Sequence, residues 1–186
     1  MSDSLVENLK AGEENAFRQL VETWQDRVYN TCLGFLRREE DAEDMAQEVF
    51  MEVYRSVGKF ESQAQLGTWL YRIAVNKSLE LIRYRKRKKR FAFLMPISGE
   101  NSFDEPHSSD HPGVSLENCE RANVLLEAMS KLPENQRVAF TLHKVEGLSY
   151  IEVGEIMKMS TSAIESLMVR AKKNLQKYLA DYYYKD

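Results

Sequence analysis

Two groups of side chains in this chain are suited to holding phosphate. The first is RYRKRKKR, residues 83–90, in which seven of eight side chains are cationic. The second is Arg170, Lys172, Lys173 and Lys177. Cations against phosphate give binding that weakens with salt and carries little base information. Base edges are read instead by side chains that donate and accept at fixed geometry. The run 83–90 also has blander readings: a targeting tag by composition, or a solvated helix end.

Covalent chemistry has little to work with. There is no nucleophile–base pairing, no phosphate-cradling glycine loop and no CxxC. Cys32 and Cys119 are far apart in different contexts and read as reduced thiols. His107 and His111 stand four apart but in a proline-bearing stretch without cysteine ligands, so no metal is expected, nor any cofactor or enzymatic activity. The net charge is -3 despite the basic run, so an acidic excess lies elsewhere. No apolar run approaches the ~20 residues a membrane span needs, and MSDSLVENLK lacks a secretory core. A cytoplasmic protein without stable membrane insertion is expected.

Helices must position these groups. Phe17, Leu20, Val21, Trp24, Val28, Leu33 and Leu36 recur at three- and four-residue steps, which predicts a helix over 13–36. Met45, Val49, Val53 and Val57 predict another over 40–57. Trp69, Leu70, Ile73, Ala74, Leu81 and Ile82 predict a third over 66–85, with a loop from Gly58 to Gly67 before it. Three of four prolines fall in 92–117, with serines, glycines and acids, which predicts an extended or disordered linker. Helical periodicity returns from Leu116, pauses at Pro133 and stops again at Gly147. The fold expected is all-α: two small helical domains, 1–91 and 118–186, joined by a flexible acidic linker over 92–117.

SYIEVGEIMKMSTSAIESLMVRAKKNL, 149–175, is the sharpest local pattern. Ser149 precedes Glu152 by three residues, and Ser162 precedes Glu165 by three. Both are capping-box patterns. They predict a short helix over 150–157, a tight turn over 158–161 and a second helix from 162 to about 180, the layout of a helix-turn-helix. Gly154, inside the first helix, suggests close approach of the second. The exposed positions expected on the second are Thr161, Ser162, Ala163, Glu165, Ser166, Val169 and Arg170, with Lys173 beside them for phosphate. Glu165 could accept from cytosine, but its role as capping partner comes first.

Four motifs in order then resemble the extracytoplasmic-function (ECF) sigma factors, small two-domain sigma subunits of bacterial RNA polymerase. AFRQLVETWQDRVYNTC looks like the opening helix of their first domain, and DAEDMAQEVF like the helix that docks on the polymerase clamp. TWLYRIAVNKSLELIR looks like the promoter-melting helix, and LPENQRVAFTLHKVEGLSYIEVGEIM like the start of their second domain. Lys158 stands where the family often has glycine. Glu165 and Leu167 stand where it often has lysine and arginine, and Glu80 where aspartate is frequent.

The resemblance implies a protein that binds core RNA polymerase through Asp41, Asp44, Gln47, Glu48 and Phe50. It implies minus-ten contacts from Phe60, Gly67, Thr68, Arg72 and Asn76, with Arg83, Arg85, Lys86 and Arg87 on phosphate. Trp69 reads as core. Promoter DNA and an anti-sigma factor would be the other partners. The competing expectation is a stand-alone helix-turn-helix regulator that binds an operator as a dimer.

Overall fold

A computed structural model describes residues 2–60, 65–94 and 116–183, and among these there is no strand. The helices are α1 (Ser2–Lys10), α2 (Glu14–Leu36), α3 (Glu39–Ser56), α4 (Leu66–Leu94), α5 (Leu116–Ser130), α6 (Glu134–Phe140), α7 (Tyr150–Met157) and α8 (Thr161–Tyr183). The expected linker lies mostly outside the described residues, as do His107 and His111. At its edges helix intrudes: α4 carries the basic run on to Leu94, and α5 begins at Leu116.

Helix α1 went unpredicted because its apolar set is short and its ends are polar. Its Val6 and Leu9 are nonetheless buried. Helices α2, α3 and α4 pack on one another, through Leu20, Val28, Cys32, Val49, Val53, Leu70 and Ala74. Burial pushes the Cys32 thiol up to about 11, so it stays protonated and packs as a small apolar group. Arg37 ends α2 in the left-handed conformation, φ 68, and its side chain donates to Ser130 Oγ on α5.

The C-terminal helices form the second of the two expected helical domains, and it packs against the first. Val138, Ala139, Leu142, Val153, Ile156, Ile164, Leu167 and Met168 join the same apolar cluster as Phe35, Leu36 and Tyr71. A second, smaller cluster of Met129, Leu132, Ala171 and Leu175 holds α5 to α8. The chain after α6 widens into a π-turn, Thr141–Val145, closed by the Glu146 amide donating to the Thr141 carbonyl at 3.2 Å. Its Thr141 lies against Gly34 of α2, where an added Cβ would fall 2.8 Å from Thr141 Cγ2. Gly147 then leaves the turn at φ +71.

Candidate polymerase and promoter surfaces

Helix α3 presents an acidic outer face. Asp44, Gln47 and Glu48 are exposed, on successive turns of one side. Phe50 points the other way and is 8% exposed. It serves the chain's own packing, as the floor of the groove between α2 and α3 that Val21, Tyr29 and Gln47 also line. Asp41 is also committed within the chain: Arg85 donates to both its oxygens at 2.6 and 2.8 Å. That guanidinium holds the Asp41 carboxyl below the ordinary range. Two residues read from sequence as serving different partners, polymerase and DNA, therefore serve each other. Met51 and Tyr54 are also exposed on α3, at 46% and 62%, with Tyr54 edge-on to the Phe17 ring at 5.4 Å. The sequence signal for them was a large apolar residue off the core-facing stripe.

The start of α4 is shaped by packing. Phe60 is 5% exposed and tilts against Trp69, ring centroids 4.8 Å apart. Thr68 is buried. A Cβ on Gly67 would fall 2.4 Å from the Trp24 ring, so glycine here lets α4 close on α2. Trp24 in turn meets Tyr71 edge-on at 5.8 Å. Trp69, half-buried, packs against the main cluster as expected. Asn76 is exposed on the same face as Arg72, one turn along.

Arg72 does not reach solvent freely. Its Nε donates to the Ile156 carbonyl at 3.3 Å and its terminal nitrogen to the Glu155 carbonyl. These are carbonyls of the last turn of α7, which accept cations well. Tyr71 donates to Glu146 Oε2 at 3.1 Å, and Arg83 pairs with Glu134 on α6. Burial, foremost, raises the Glu146 carboxyl above its ordinary range, opposed by hydrogen bonding from Tyr71 and Thr31. Along α4, Arg83, Arg85, Lys86 and Arg87 all point outward. Of these Arg83 and Arg85 already hold carboxylates.

The helix-turn-helix is built as its sequence suggests, with two refinements. Ser149 and Glu152 form a complete capping box on α7, and bonding to Ser149 lowers the Glu152 carboxyl. Lys158 takes the left-handed conformation, φ 55 and ψ 47. That allows the Met159 amide to donate to the Gly154 carbonyl at 2.9 Å. Gly154 is needed by this turn: a Cβ there would stand 2.8 Å from the Met159 carbonyl oxygen, but 3.9 Å from Ile164 on α8.

The second refinement moves the start of α8. Ser160 caps it, its Oγ accepting from the Ala163 amide at 3.3 Å. Ser162 lies inside the first turn, so the expected Ser162–Glu165 box is not made. Thr161, Ser162, Glu165, Ser166, Val169, Arg170 and Lys173 are exposed and Ala163 is half-buried. Ile164, Leu167, Met168 and Ala171 face the core. Ser166 donates to the Ser162 carbonyl and Arg170 to the Ser166 carbonyl, which sets both along the helix. Among the described residues no cluster of side chains is arranged to hold a metal, and no helix is long and apolar enough to cross a membrane.

Comparison with known proteins accounts for this arrangement. The family models for Sigma-70 region 2 and Sigma-70 region 4 match residues 20–88 and 122–175. The chain is 32% identical to the RNA polymerase sigma-H factor of Pseudomonas aeruginosa over 94% of its own length and 92% of that protein's. It is 30% identical to the ECF RNA polymerase sigma-E factor of Haemophilus influenzae over 93% and 92%. It is 29% identical to the ECF RNA polymerase sigma factor SigW of Bacillus subtilis over 95% of each. The fold matches CnrH, solved with the cytosolic domain of CnrY, at a TM-score of 0.70, 23% identity and 96% coverage of each chain. It matches RpoE of Bartonella quintana, solved with the anti-sigma factor NepR, at 0.66, 23% identity and 88% and 96% coverage. With the two sigma regions in order and relatives matched along almost their whole length, the chain belongs to the ECF RNA polymerase sigma factors.

Proposed function

We propose that this protein is a sigma factor that acts in the cytoplasm. It binds core bacterial RNA polymerase, opens a minus-ten element with α4 and reads a minus-thirty-five element with α8. The observation that carries this is the pair of sigma regions matched in order, each ending in a face suited to nucleic acid. Asp44, Gln47 and Glu48 supply the polymerase-facing surface, with Met51 and Tyr54 as apolar neighbours. Asn76 meets bases, and the cations of α4 hold phosphate.

Arg72 cannot bond the carbonyls of α7 and reach promoter DNA at the same time. Promoter engagement therefore parts α4 from α7 and breaks the Tyr71–Glu146 and Arg83–Glu134 contacts. An anti-sigma factor is the partner we assign to the unengaged protein. That assignment is supported by the CnrH and RpoE structures, each of which holds a partner protein.

The test is reconstitution with bacterial core polymerase. Promoter-specific transcription that neither component gives alone is expected. A protein that binds an operator tightly as a dimer and never associates with core polymerase would instead be a stand-alone regulator.

A further inference from the structure

Glu165 has none of the ordinary occupations of a helix-surface glutamate. The cap of α8 is Ser160, so Glu165 is not a capping partner. It lies beyond the first turn, where the benefit of a negative charge near a helix N-terminus has faded. Its i+3 and i+4 neighbours are Met168 and Val169, so it has no cation within helical reach. Among the described residues, its carboxylate makes no hydrogen bond and no ion pair. It is nevertheless the sole carboxylate between Thr161 and Leu175, in a helix that carries Arg170, Lys172 and Lys173.

A free carboxylate on a helix that approaches a polyanion is unfavourable unless the DNA offers it a donor. The major groove offers two: the amino groups of cytosine and adenine. They differ in their surroundings. Adenine sets its N6 donor beside the N7 acceptor, which repels the second carboxylate oxygen. Cytosine presents N4 with no acceptor of its own alongside. Val169, one turn further on the same face, is 68% exposed with no core to fill, and a thymine methyl is the base feature that an aliphatic side chain recognises.

Resting on the assignment of α8 as the minus-thirty-five reader, we propose that Glu165 selects a cytosine by accepting from its N4 amino group in the major groove, and that Val169 selects a thymine methyl at a nearby pair.

The test uses holoenzyme reconstituted from the full chain and core polymerase, with a promoter library randomised across the minus-thirty-five element. The parent is expected to favour cytosine at one position by about tenfold to a hundredfold. Glu165→Ala should erase that preference and leave the other positions unchanged. Glu165→Gln should move it to adenine, because the amide supplies the donor that N7 needs. Val169→Ala should weaken a thymine preference and leave the cytosine preference intact. A parent that lacks the cytosine preference overturns the proposal. So does a Glu165→Ala protein whose promoter output rises equally on all sequences, since that is loss of repulsion alone. If the parent fails to initiate with core polymerase on any library member, the sigma assignment itself falls, and the two failures are distinguishable.

Discussion

Arg72 and Ile156 are joined across 84 residues of sequence by a hydrogen bond from guanidinium Nε to carbonyl oxygen at 3.3 Å. The bond ties α4 to the end of α7, so the two sigma regions meet along this contact. Asn76 lies on the same face of α4 but is exposed. The two residues should therefore respond differently to substitution. Arg72→Ala should loosen the contact between regions, at a cost on the order of 1–2 kcal/mol, seen as a wider inter-region distance by fluorescence transfer in the free protein. Asn76→Ala should leave that distance and core binding intact and slow promoter opening about two- to tenfold. Equal loss of core binding and opening in Asn76→Ala would remove its assigned role.

Gly34 and Thr141 should be energetically coupled. Gly34→Ala gains roughly 1 kcal/mol of helix propensity in α2. It also drives a methyl to within 2.8 Å of Thr141 Cγ2, and overpacking of this kind costs about 1–3 kcal/mol. Thr141→Ala removes that methyl together with a buried hydroxyl that has no hydrogen-bond partner. The double variant should be more stable than the sum of the singles predicts, with a coupling of about 1 kcal/mol or more. Strict additivity in denaturant melts would show that the two regions do not meet here.

Glu146 should make stability depend on pH in a definite direction. Its carboxyl titrates above the ordinary range in the folded chain, because burial penalises its charge. The folded state therefore binds the proton more tightly than the unfolded chain. Its contribution is complete below the ordinary glutamate value of about 4.3 and is lost as pH rises through the raised value. Asp41 and Glu152 act in the opposite sense, since their carboxyls are lowered. The difference between parent and Glu146→Gln isolates the buried group. The variant should melt higher at pH 8, and the gap should close as pH falls towards about 4. A gap that does not change with pH would place Glu146 in solvent.

The turn of the helix-turn-helix should answer two glycine exchanges with opposite signs. Lys158→Gly removes the strain of a left-handed non-glycine residue and should stabilise by about 1 kcal/mol. Gly154→Ala, favourable for an isolated helix, sets a Cβ 2.8 Å from the Met159 carbonyl oxygen and should destabilise by about 1–3 kcal/mol. Thermal unfolding of both variants is the check. A stabilising Gly154→Ala would mean that the turn does not fold back over α7.

The local elements were legible in the sequence because their causes are local. Three- and four-residue spacing located α2 and α3, and the Ser149–Glu152 pair located α7 to the residue. The cap of α8 was misplaced at Ser162 for an equally local reason. Ser160 and Ser162 are both suitable caps, and only the path of the turn from Lys158 selects Ser160. That choice freed Glu165 from its expected role.

What the tertiary structure decided concerns partners distant in sequence. Arg72 finds the end of α7, Tyr71 finds Glu146, Gly67 admits Trp24, and Phe60 is buried against Trp69. Periodicity records which face of a helix is apolar. It does not record which other helix covers that face, or which carbonyls a long cation will reach once it does. The residues that would touch polymerase or DNA could thus be named by type in the sequence. Which of them are already occupied within the chain was settled only by packing one region against the other.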